Sequence, residues 1–491
     1  MTISSHERPF RRKLFFRLAA ILLGLSPFLL LEATLRMTGW SPPVEEFNPV
    51  VEFVNPQPLF EADKESGLYR TRKDRLGYFR PEQFPIEKPA NEFRIFWLGG
   101  STVQGRPYAI ETSFTTWLEL ALNETDSTRD WNVVNCGGVS YASYRLVPIL
   151  EEVLEYQPDL ILVYSGHNEF LEDRTYGAIK PIREFAGGAQ GVLASSKTVQ
   201  LVRELTVHDE SPPPAPLQFP AEVDAMLDYQ QGLQNYVRDD NWRTGVQAHF
   251  RFNIERMIAM CREHDLPIIL FNPPRNLKDC PPFKSLDSPG LTVERKQEIQ
   301  RLFAGEDDGE TRLIRLKQAV RLNPRHAGLN YALAHELLQQ LDYEGAAGAF
   351  RRACDEDICP LRILTGMQQG LLQLAESTHT PLIDIEVLFR ELSPTGVPGE
   401  QLFLDHVHPT IEGHQTIALR TLERMQELKL VPVSEAPEIN TRISDRFRES
   451  IAELDPIYFA EGQRRLGGLL RWAAGRGDKI RRNPAASAMD R

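Results

Sequence analysis

The sequence predicts an α/β fold in which a mostly parallel sheet lies between two layers of helices. Continuous apolar segments such as "FRIFWL" and "DLILVY" are typical of strands that are buried on both faces. Amphipathic helical stretches separate these segments, and that alternation indicates parallel strands joined by helices. The predicted architecture is therefore a three-layer α/β/α fold.

Five strand-like segments follow one another along the chain, and helices are predicted between them. The segments are Phe93–Leu98, Trp131–Asn135, Asp159–Tyr164, Leu266–Asn272 and Thr380–Ile385. The helices are predicted near 112–123, from about 143 to 156, at 255–264 and at 366–377.

An apolar run near the N-terminus is long enough to cross a bilayer. It extends from Leu18 to Leu35 and follows a cluster of basic residues. No small-residue cleavage pattern follows, so we predict an uncleaved signal anchor at 14–36, with residues 1–13 in the cytoplasm and the rest outside. The alternative is a buried core helix. Prolines are frequent in 37–91, which is interpreted as a stalk or as a segment packed against the main domain.

A helical segment at 294–358 interrupts the strand pattern. Ala319 and Ala353 are 34 residues apart, as are Leu316 and Phe350, and this is the period of a tetratricopeptide repeat. We expect an inserted helical repeat that presents a surface to a protein partner. The alternative is an unrelated helical hairpin.

The two remaining features concern charge and cysteine. The net charge of −12 argues against a nucleic-acid partner, because such binding needs a basic face. Residues 431–491 are interpreted as a charged helical tail, which either lies on anionic lipid or is solvated.

The five cysteines have no metal-ligand spacing, and no metal site is predicted. Cys354 and Cys359 are close enough in sequence to form a disulfide, but their geometry stays open.

Four polar segments follow predicted strands or open a predicted helix. "GGST" contains Ser101, "NCGG" contains Gly137, "GHNE" contains Asn168, and "DHVH" contains Asp405 and His408. Ligands of α/β sheets gather at the carboxyl ends of the strands. A short turn can place Asp405 against one nitrogen of His408 while the other nitrogen faces a serine. The opening segment lacks the Gly-Lys-Ser/Thr of a P-loop, and no G-x-S-x-G elbow with the right context is present.

These four segments, in this order, resemble those of the SGNH hydrolases, also called GDSL-type esterases and acyltransferases. The resemblance covers roughly residues 92–430 and implies a flavodoxin-like core. It implies Ser101 as nucleophile, His408 as base and Asp405 as its orienting carboxylate. It further implies an oxyanion hole formed by the N–H groups of Ser101 and Gly137 and by the Asn168 amide. Two departures are GGST in place of GDSL, and Glu169 where aspartate is commoner.

The resemblance predicts acyl transfer through a serine ester, with no metal or organic cofactor required. Membrane-tethered members often act on O-acetyl groups of exported polysaccharides, so an acylated carbohydrate is the first expectation, and hydrolysis and transfer to a sugar both stay open. Candidate substrate contacts are Arg174, Tyr176, Asn272 and Arg275, for which structural roles are the alternative. A competing hypothesis is a membrane-tethered scaffold whose hydrolase core only binds a partner.

Overall fold

The fold is described here from a computed structural model, which covers most of the chain. It describes residues 26–27, 31–32, 34–35, 51–53, 57–172, 217–219, 222–228, 232–304, 309–433, 436 and 438–476. The strands are β1 (Val51–Phe53), β2 (Phe60–Asp63), β3 (Leu68–Thr71), β4 (Gln83–Pro85), β5 (Glu92–Gly99), β6 (Asp130–Gly137), β7 (Leu160–Tyr164), β8 (Leu217–Phe219), β9 (Ile268–Asn272) and β10 (Leu382–Asp384). The helices are α1 (Ser101–Gln104), α2 (Phe114–Thr125), α3 (Ser143–Val153), α4 (Gly232–Asn235), α5 (Asp240–Glu263), α6 (Val293–Ala304), α7 (Gly309–Leu322), α8 (Ala327–Gln339), α9 (Tyr343–Asp355), α10 (Thr365–Ser377), α11 (Ile385–Leu392), α12 (Ile411–Glu427), α13 (Ile439–Ala452) and α14 (Pro456–Arg476).

A parallel five-stranded sheet forms the centre of the fold, with the spatial order β10-β9-β7-β5-β6. Numbered along the chain, the five strands lie in the order 2-1-3-4-5, which is that of flavodoxin-like sheets. The predicted parallel sheet is thus confirmed, and each of the five strand-like segments of the sequence supplies one strand. β5 lies between β6 and β7, where the direction of winding reverses.

Both faces of the sheet are buried, which explains the continuous apolar strands. Ile95 and Trp97 of β5 belong to a core shared with α2, α11, α12 and α13. Phe96 and Leu98, which alternate with them along the strand, are also fully buried. On that second side α3 contacts β5, α10 contacts β9, and α5 packs against both helices. The structure therefore has the predicted three layers.

Residues 57–91 do not form an extended stalk. β2, β3 and β4 make an antiparallel sheet that packs on the main domain. Phe84 of β4 meets Phe96 of β5 edge to face, with ring centroids 5.4 Å apart. The carboxylate of Glu152 accepts the backbone N–H groups of Leu59 and Phe60. Of the two interpretations of this region, the packed segment applies, because aromatic side chains between the prolines supply enough apolar surface.

A second unit of the chain comprises Met1–Val54 and Arg174–Pro220. Within it, β1 pairs with β8 in parallel. Among the described residues, no helix is both long and apolar enough to cross a membrane. The predicted anchor at 14–36 lies largely outside the described residues, so it stays a prediction.

The segment predicted as an insertion is helical and comprises α6, α7, α8 and α9 between β9 and β10. Helices α8 and α9 form a hairpin whose interior is lined by small and large apolar side chains in alternation. These include Leu333, Ala334, Leu337, Ala346, Ala349 and Phe350, packed with Leu316 of α7. The assignment as a tetratricopeptide repeat stays a prediction. Cys354 and Cys359 do not form a disulfide.

The C-terminal region packs on the main domain over much of its length, in contrast to a wholly solvated tail. Phe447 of α13 is buried and lies against Trp117 of α2, with ring centroids 4.9 Å apart. At the start of α14, the Tyr458 hydroxyl lies 2.7 Å from the Thr112 hydroxyl. The adjacent glycines Gly467 and Gly468 in the middle of α14 do not interrupt the helix.

The carboxyl of Glu82 predicts a loss of stability as pH rises through neutrality. Burial raises the pKa of Glu82 to about 8, although an N–H group from Asn135 opposes the shift. The folded state therefore keeps a proton that the unfolded chain releases above its ordinary pKa. The free energy of unfolding should fall as pH rises from about 5 to about 8, by at most about 1.4 kcal/mol per pH unit from this group.

Urea unfolding of wild type and Glu82→Gln across this pH range measures the effect. We expect a flatter pH dependence in Glu82→Gln, whereas Glu87→Gln, which changes an exposed residue, should follow wild type. Identical slopes in wild type and Glu82→Gln would show that this carboxyl does not bind the extra proton.

Candidate active site

Ser101 lies at the carboxyl end of β5, at the point where the sheet changes its direction of winding. Gly99 ends the strand, Gly100 caps the next helix, and Ser101 is the first residue of α1. A Cβ atom on Gly100 would lie 2.6 Å from the Asn168 amide nitrogen, so the close approach of β5 to the loop after β7 requires glycine. The sequence "GGST" thus brings a serine directly against a second polar segment.

The side chain of His408 meets Ser101 across 307 positions of sequence. Ser101 Oγ lies 2.7 Å from His408 Nε2, which is hydrogen-bond distance. His408 is buried, whereas Ser101 is partly exposed. The serine is therefore reachable from solvent while the ring that contacts it is shielded.

The other ring nitrogen of His408 is held by Asp405. His408 Nδ1 lies 2.6 Å from Asp405 Oδ2, and Asp405 Oδ1 accepts the backbone N–H groups of Val407 and His408. Burial on its own raises the pKa of Asp405, but the rings of His408 and His406 and the bonds from His408 outweigh it. The pKa of Asp405 is held well below its ordinary value, so this carboxylate is charged at neutral pH.

A short loop fixes Asp405 and His408 at the start of α12. Phe403 and Pro409 form an isolated antiparallel bridge, and the N–H of Leu404 donates to the carbonyl of His408. Asn276, in the loop after β9, donates through Nδ2 to the Asp405 carbonyl at 2.8 Å. Thr410 caps α12, so Pro409 lies just before the cap and not in the first turn. Contacts at both ends of the loop, together with the hydrogen bond from Asn276, therefore fix its conformation.

Asn168, in the loop after β7, places an amide beside the serine. Its Nδ2 donates to the carbonyl of Tyr141 at 2.9 Å, and the amide has a second N–H to offer. The adjacent Glu169 is fully buried and accepts both the N–H and the hydroxyl of Ser143 at the start of α3. Glutamate at this position therefore anchors the loop to a helix, which is a packing role.

The structure contradicts the placement of Gly137 in the oxyanion hole. Gly137 is still within β6, paired with Gly99, and its N–H donates to Asn135 Oδ1 at 2.9 Å. A Cβ atom there would strike the backbone of Gln104. Glycine is needed at 137 because α1 packs directly on the strand. The remaining donors of the predicted set are the Ser101 N–H, which has no partner within α1 as the first helical residue, and the Asn168 amide.

Three further histidines lie near this site and are uncharged at neutral pH. Burial lowers the pKa of His406 to about 4 and that of His414 to about 3, and it lowers the pKa of His167 well below its ordinary value. His406 Nδ1 lies 3.6 Å from Asp405 Oδ1, so its ring borders the carboxylate that holds His408. His167 Nδ1 accepts the N–H of Ile363.

Of the predicted substrate contacts, the structure describes Asn272 and Arg275. Arg174 and Tyr176 lie outside the described residues. Asn272 is buried and donates to Asp384 Oδ1 at 2.8 Å. Arg275 is fully buried, and its guanidinium group donates to the Ile363 carbonyl and to the Thr365 hydroxyl. Asn272 and Arg275 therefore have structural roles here.

Sequence reasoning missed the side chains that position the reacting ones. Asn135 donates from Nδ2 to the Val103 carbonyl at 2.6 Å and so holds α1, and Asn276 holds the Asp405 loop. Asn135 lies near the end of β6 and Asn276 lies in the loop after β9, and this position was a usable signal. Their partners, however, are backbone atoms that no sequence pattern identifies.

Comparison with known proteins gives structural likenesses alone. No family model matches the sequence, and no curated protein matches it. Similar solved structures include a lipase/acylhydrolase from Enterococcus faecalis, at 12% identity and a TM-score of 0.31, which spans 70% of this chain and 100% of that one. An acetylxylan esterase from Geobacillus stearothermophilus has 13% identity and a TM-score of 0.31, over 69% of this chain and 96% of that one. At these low values we argue the function from the atoms of the site.

The depressed pKa of Asp405 predicts a stability difference that depends on pH. A carboxylate of this kind stabilises the folded state above its ordinary pKa, and the contribution is lost as pH falls into the acid range. Asp405→Asn should lower the free energy of unfolding at pH 7 by about 1–3 kcal/mol, the usual cost of breaking a bond to a charged group.

Urea unfolding at pH 7 and pH 3 tests this expectation, with Asp265→Asn, at an exposed turn, as the matched control. The deficit of Asp405→Asn should shrink at pH 3. A deficit of the same size at both values would mean that the charge of Asp405 is not what stabilises the loop.

Proposed function

We propose that the chain is a serine esterase that works through an acyl-serine intermediate. The observation that carries this proposal is the hydrogen-bonded series from Ser101 Oγ to His408 Nε2 and from His408 Nδ1 to Asp405. A serine, a histidine and a charged carboxylate in this arrangement are the components of nucleophilic acyl transfer.

In the acylation step, His408 Nε2 takes the proton of Ser101 as Oγ attacks the ester carbonyl carbon. Asp405 stabilises the resulting imidazolium and fixes the tautomer in which Nε2 is the acceptor. The tetrahedral intermediate then collapses, the bond to the alcohol oxygen breaks, and His408 returns the proton to that oxygen. The product is the free alcohol, with the acyl group on Ser101.

Negative charge that develops on the carbonyl oxygen needs donors that are already in place. The backbone N–H of Ser101 and the second N–H of the Asn168 amide are the proposed donors. The bond of Asn168 to the Tyr141 carbonyl orients the amide before substrate arrives, and that preorganisation is what makes such a donor effective.

The acyl-serine is resolved when His408 removes a proton from water or from a sugar hydroxyl, whose oxygen attacks the acyl carbon. The bond from that carbon to Ser101 Oγ then breaks, and His408 returns the proton to Oγ. For the substrate we propose an acylated carbohydrate, and this proposal rests on the resemblance to membrane-tethered SGNH proteins.

We further propose that the segment 14–36 anchors the enzyme with its catalytic domain outside the cytoplasm. The helical segment α6–α9 is proposed as a surface for a protein partner.

Loss of either side chain of the Ser–His pair should abolish ester hydrolysis. We expect Ser101→Ala and His408→Ala to lose the hydrolysis of p-nitrophenyl acetate, and Asn168→Ala to lose about a hundred- to a thousand-fold in kcat. Circular dichroism of each variant controls for folding. Equal rates in wild type and all variants would contradict the esterase and favour the scaffold hypothesis.

A methyl group on Gly100 should disturb the proposed oxyanion hole without touching the triad. Gly100→Ala would bring a Cβ atom to 2.6 Å from Asn168 Nδ2, so the amide must move. We expect kcat to fall by about tenfold or more, since misplaced donors stabilise the oxyanion poorly.

Gly370→Ala is the matched control, because an added Cβ atom there meets nothing within 4 Å. If Gly100→Ala keeps the kcat of Gly370→Ala, the Asn168 amide does not act on the oxyanion.

A further inference from the structure

Two partly exposed arginines beside α1 form no ion pair with any residue that the structure describes. The Nε atoms of Arg80 and Arg106 are buried and form no hydrogen bond. Neither guanidinium group has an ion pair or a side-chain hydrogen bond within the described part of the chain. This contrasts with buried arginines elsewhere in the fold, such as Arg94, which is paired with Glu92 at 2.6 Å.

Arg106 is tied to the proposed nucleophile through the backbone. It follows α1 directly, and its N–H donates to the Ser101 carbonyl at 3.1 Å. Its charge is close enough to Asp405 for the two to interact. An anion held by Arg106 would therefore lie near the reacting atoms.

Arg80 lies in the segment between β3 and β4 of the small antiparallel sheet. The carbonyl of Tyr78, two residues earlier, accepts from Gln104 Nε2 at 2.6 Å and from the N–H of Val139 at 2.9 Å. The segment that carries Arg80 is thus fixed between α1 and the loop after β6. Residues 57–91 consequently take part in building the site.

A third arginine is brought up by the C-terminal helix. Arg465 of α14 donates from Nη1 to the carbonyls of Pro107 and Tyr108, at 3.3 and 3.0 Å. Its Nη2 is paired with Glu461 at 2.7 Å. Arg465 is therefore held beside the backbone that follows Arg106, and Glu461 is the partner of its own charge.

These like charges repel one another. Burial, followed by the neighbouring arginines, lowers the pKa of both Arg80 and Arg106. The carboxylates of Glu111 and Glu461 act in the opposite direction and raise the pKa of Arg80. Within the described residues, neither forms an ion pair with Arg80 or Arg106. Both side chains are partly exposed, so water solvates part of their charge, and an anionic ligand that replaces this water would supply the missing partner.

We propose that Arg80 and Arg106, supported by Arg465, form an anion subsite that binds a negatively charged group of the ester substrate. The inference rests on the proposed function and specifies its substrate class. A carboxylate or a phosphate group suits the subsite, because the guanidinium fork matches the oxygens of either anion. The substrate is then an ester of an acidic or phosphorylated molecule, and neutral esters should react more slowly.

Paired chromogenic esters test this preference in the enzyme itself. One pair places a carboxylate on the leaving group, as 3-carboxy-4-nitrophenyl acetate against 4-nitrophenyl acetate. The other places it on the acyl group, as mono-4-nitrophenyl succinate against 4-nitrophenyl valerate. Wild type should favour the charged member of at least one pair in kcat/KM.

The expected effect of Arg80→Gln or Arg106→Gln is a fall in the charged-to-neutral ratio by about tenfold or more, the usual value of a bond between ionised groups. Arg464→Gln, an exposed neighbour of Arg465, is the matched control and should keep the ratio of wild type. Thermal unfolding separates a structural role, because removing one of several like charges should not lower the melting temperature. Unchanged ratios in both variants would overturn the proposal.

A binding measurement separates failure of this subsite from failure of the esterase. Calorimetry with the Ser101→Ala protein compares glucuronate, glucose 6-phosphate and neutral glucose. Tighter binding of an acid than of glucose, lost when Arg106→Gln is added, supports the subsite even if no ester is hydrolysed. The two acids distinguish a carboxylate from a phosphate source. If ester hydrolysis depends on Ser101 but neither acid binds more tightly than glucose, the esterase stands and the anion subsite is wrong.

Discussion

The proposed chemistry depends on the hydrogen bond between Ser101 and His408. This bond joins residues 307 positions apart, so the whole sheet has to form before it can exist. β5 delivers the serine, and the loop after β10 and α11 delivers the histidine. Asp405, Asn276 and the bridge between Phe403 and Pro409 then hold the ring in one orientation. A site built this way is preorganised by the fold and not by the substrate.

Local sequence patterns predicted the sheet well because its strands are buried on both faces. Continuous apolar runs predicted all five strands, and the segments with Ser101, Asn168, Asp405 and His408 were selected because they follow a strand or open a helix. Gly137 was predicted as a donor to the oxyanion, but its N–H is already used within the fold. The motif identifies the glycine but not the acceptor of its N–H group. In the structure Gly137 lies within β6, and its N–H donates to Asn135 Oδ1.

The other differences come from tertiary contacts that sequence does not encode locally. Proline frequency suggested a stalk at 37–91, yet Phe60 and Phe84 find aromatic partners on the main domain. Arg275 was predicted to contact substrate, but its guanidinium group donates to a backbone carbonyl and to a hydroxyl group. Arg80 and Arg106 have no such acceptor among the described residues. The partners of an arginine lie in segments far apart in sequence. Unpaired arginines can therefore be identified only in the folded chain.

Ser101 is proposed as a nucleophile that His408 activates. Reaction of the protein with a fluorophosphonate, followed by mass spectrometry of its peptides, tests this activation. We predict a single stoichiometric adduct on Ser101, formed far more slowly in His408→Ala, in which the base is missing. Absence of an adduct on folded wild type, or an adduct on another residue, would contradict it.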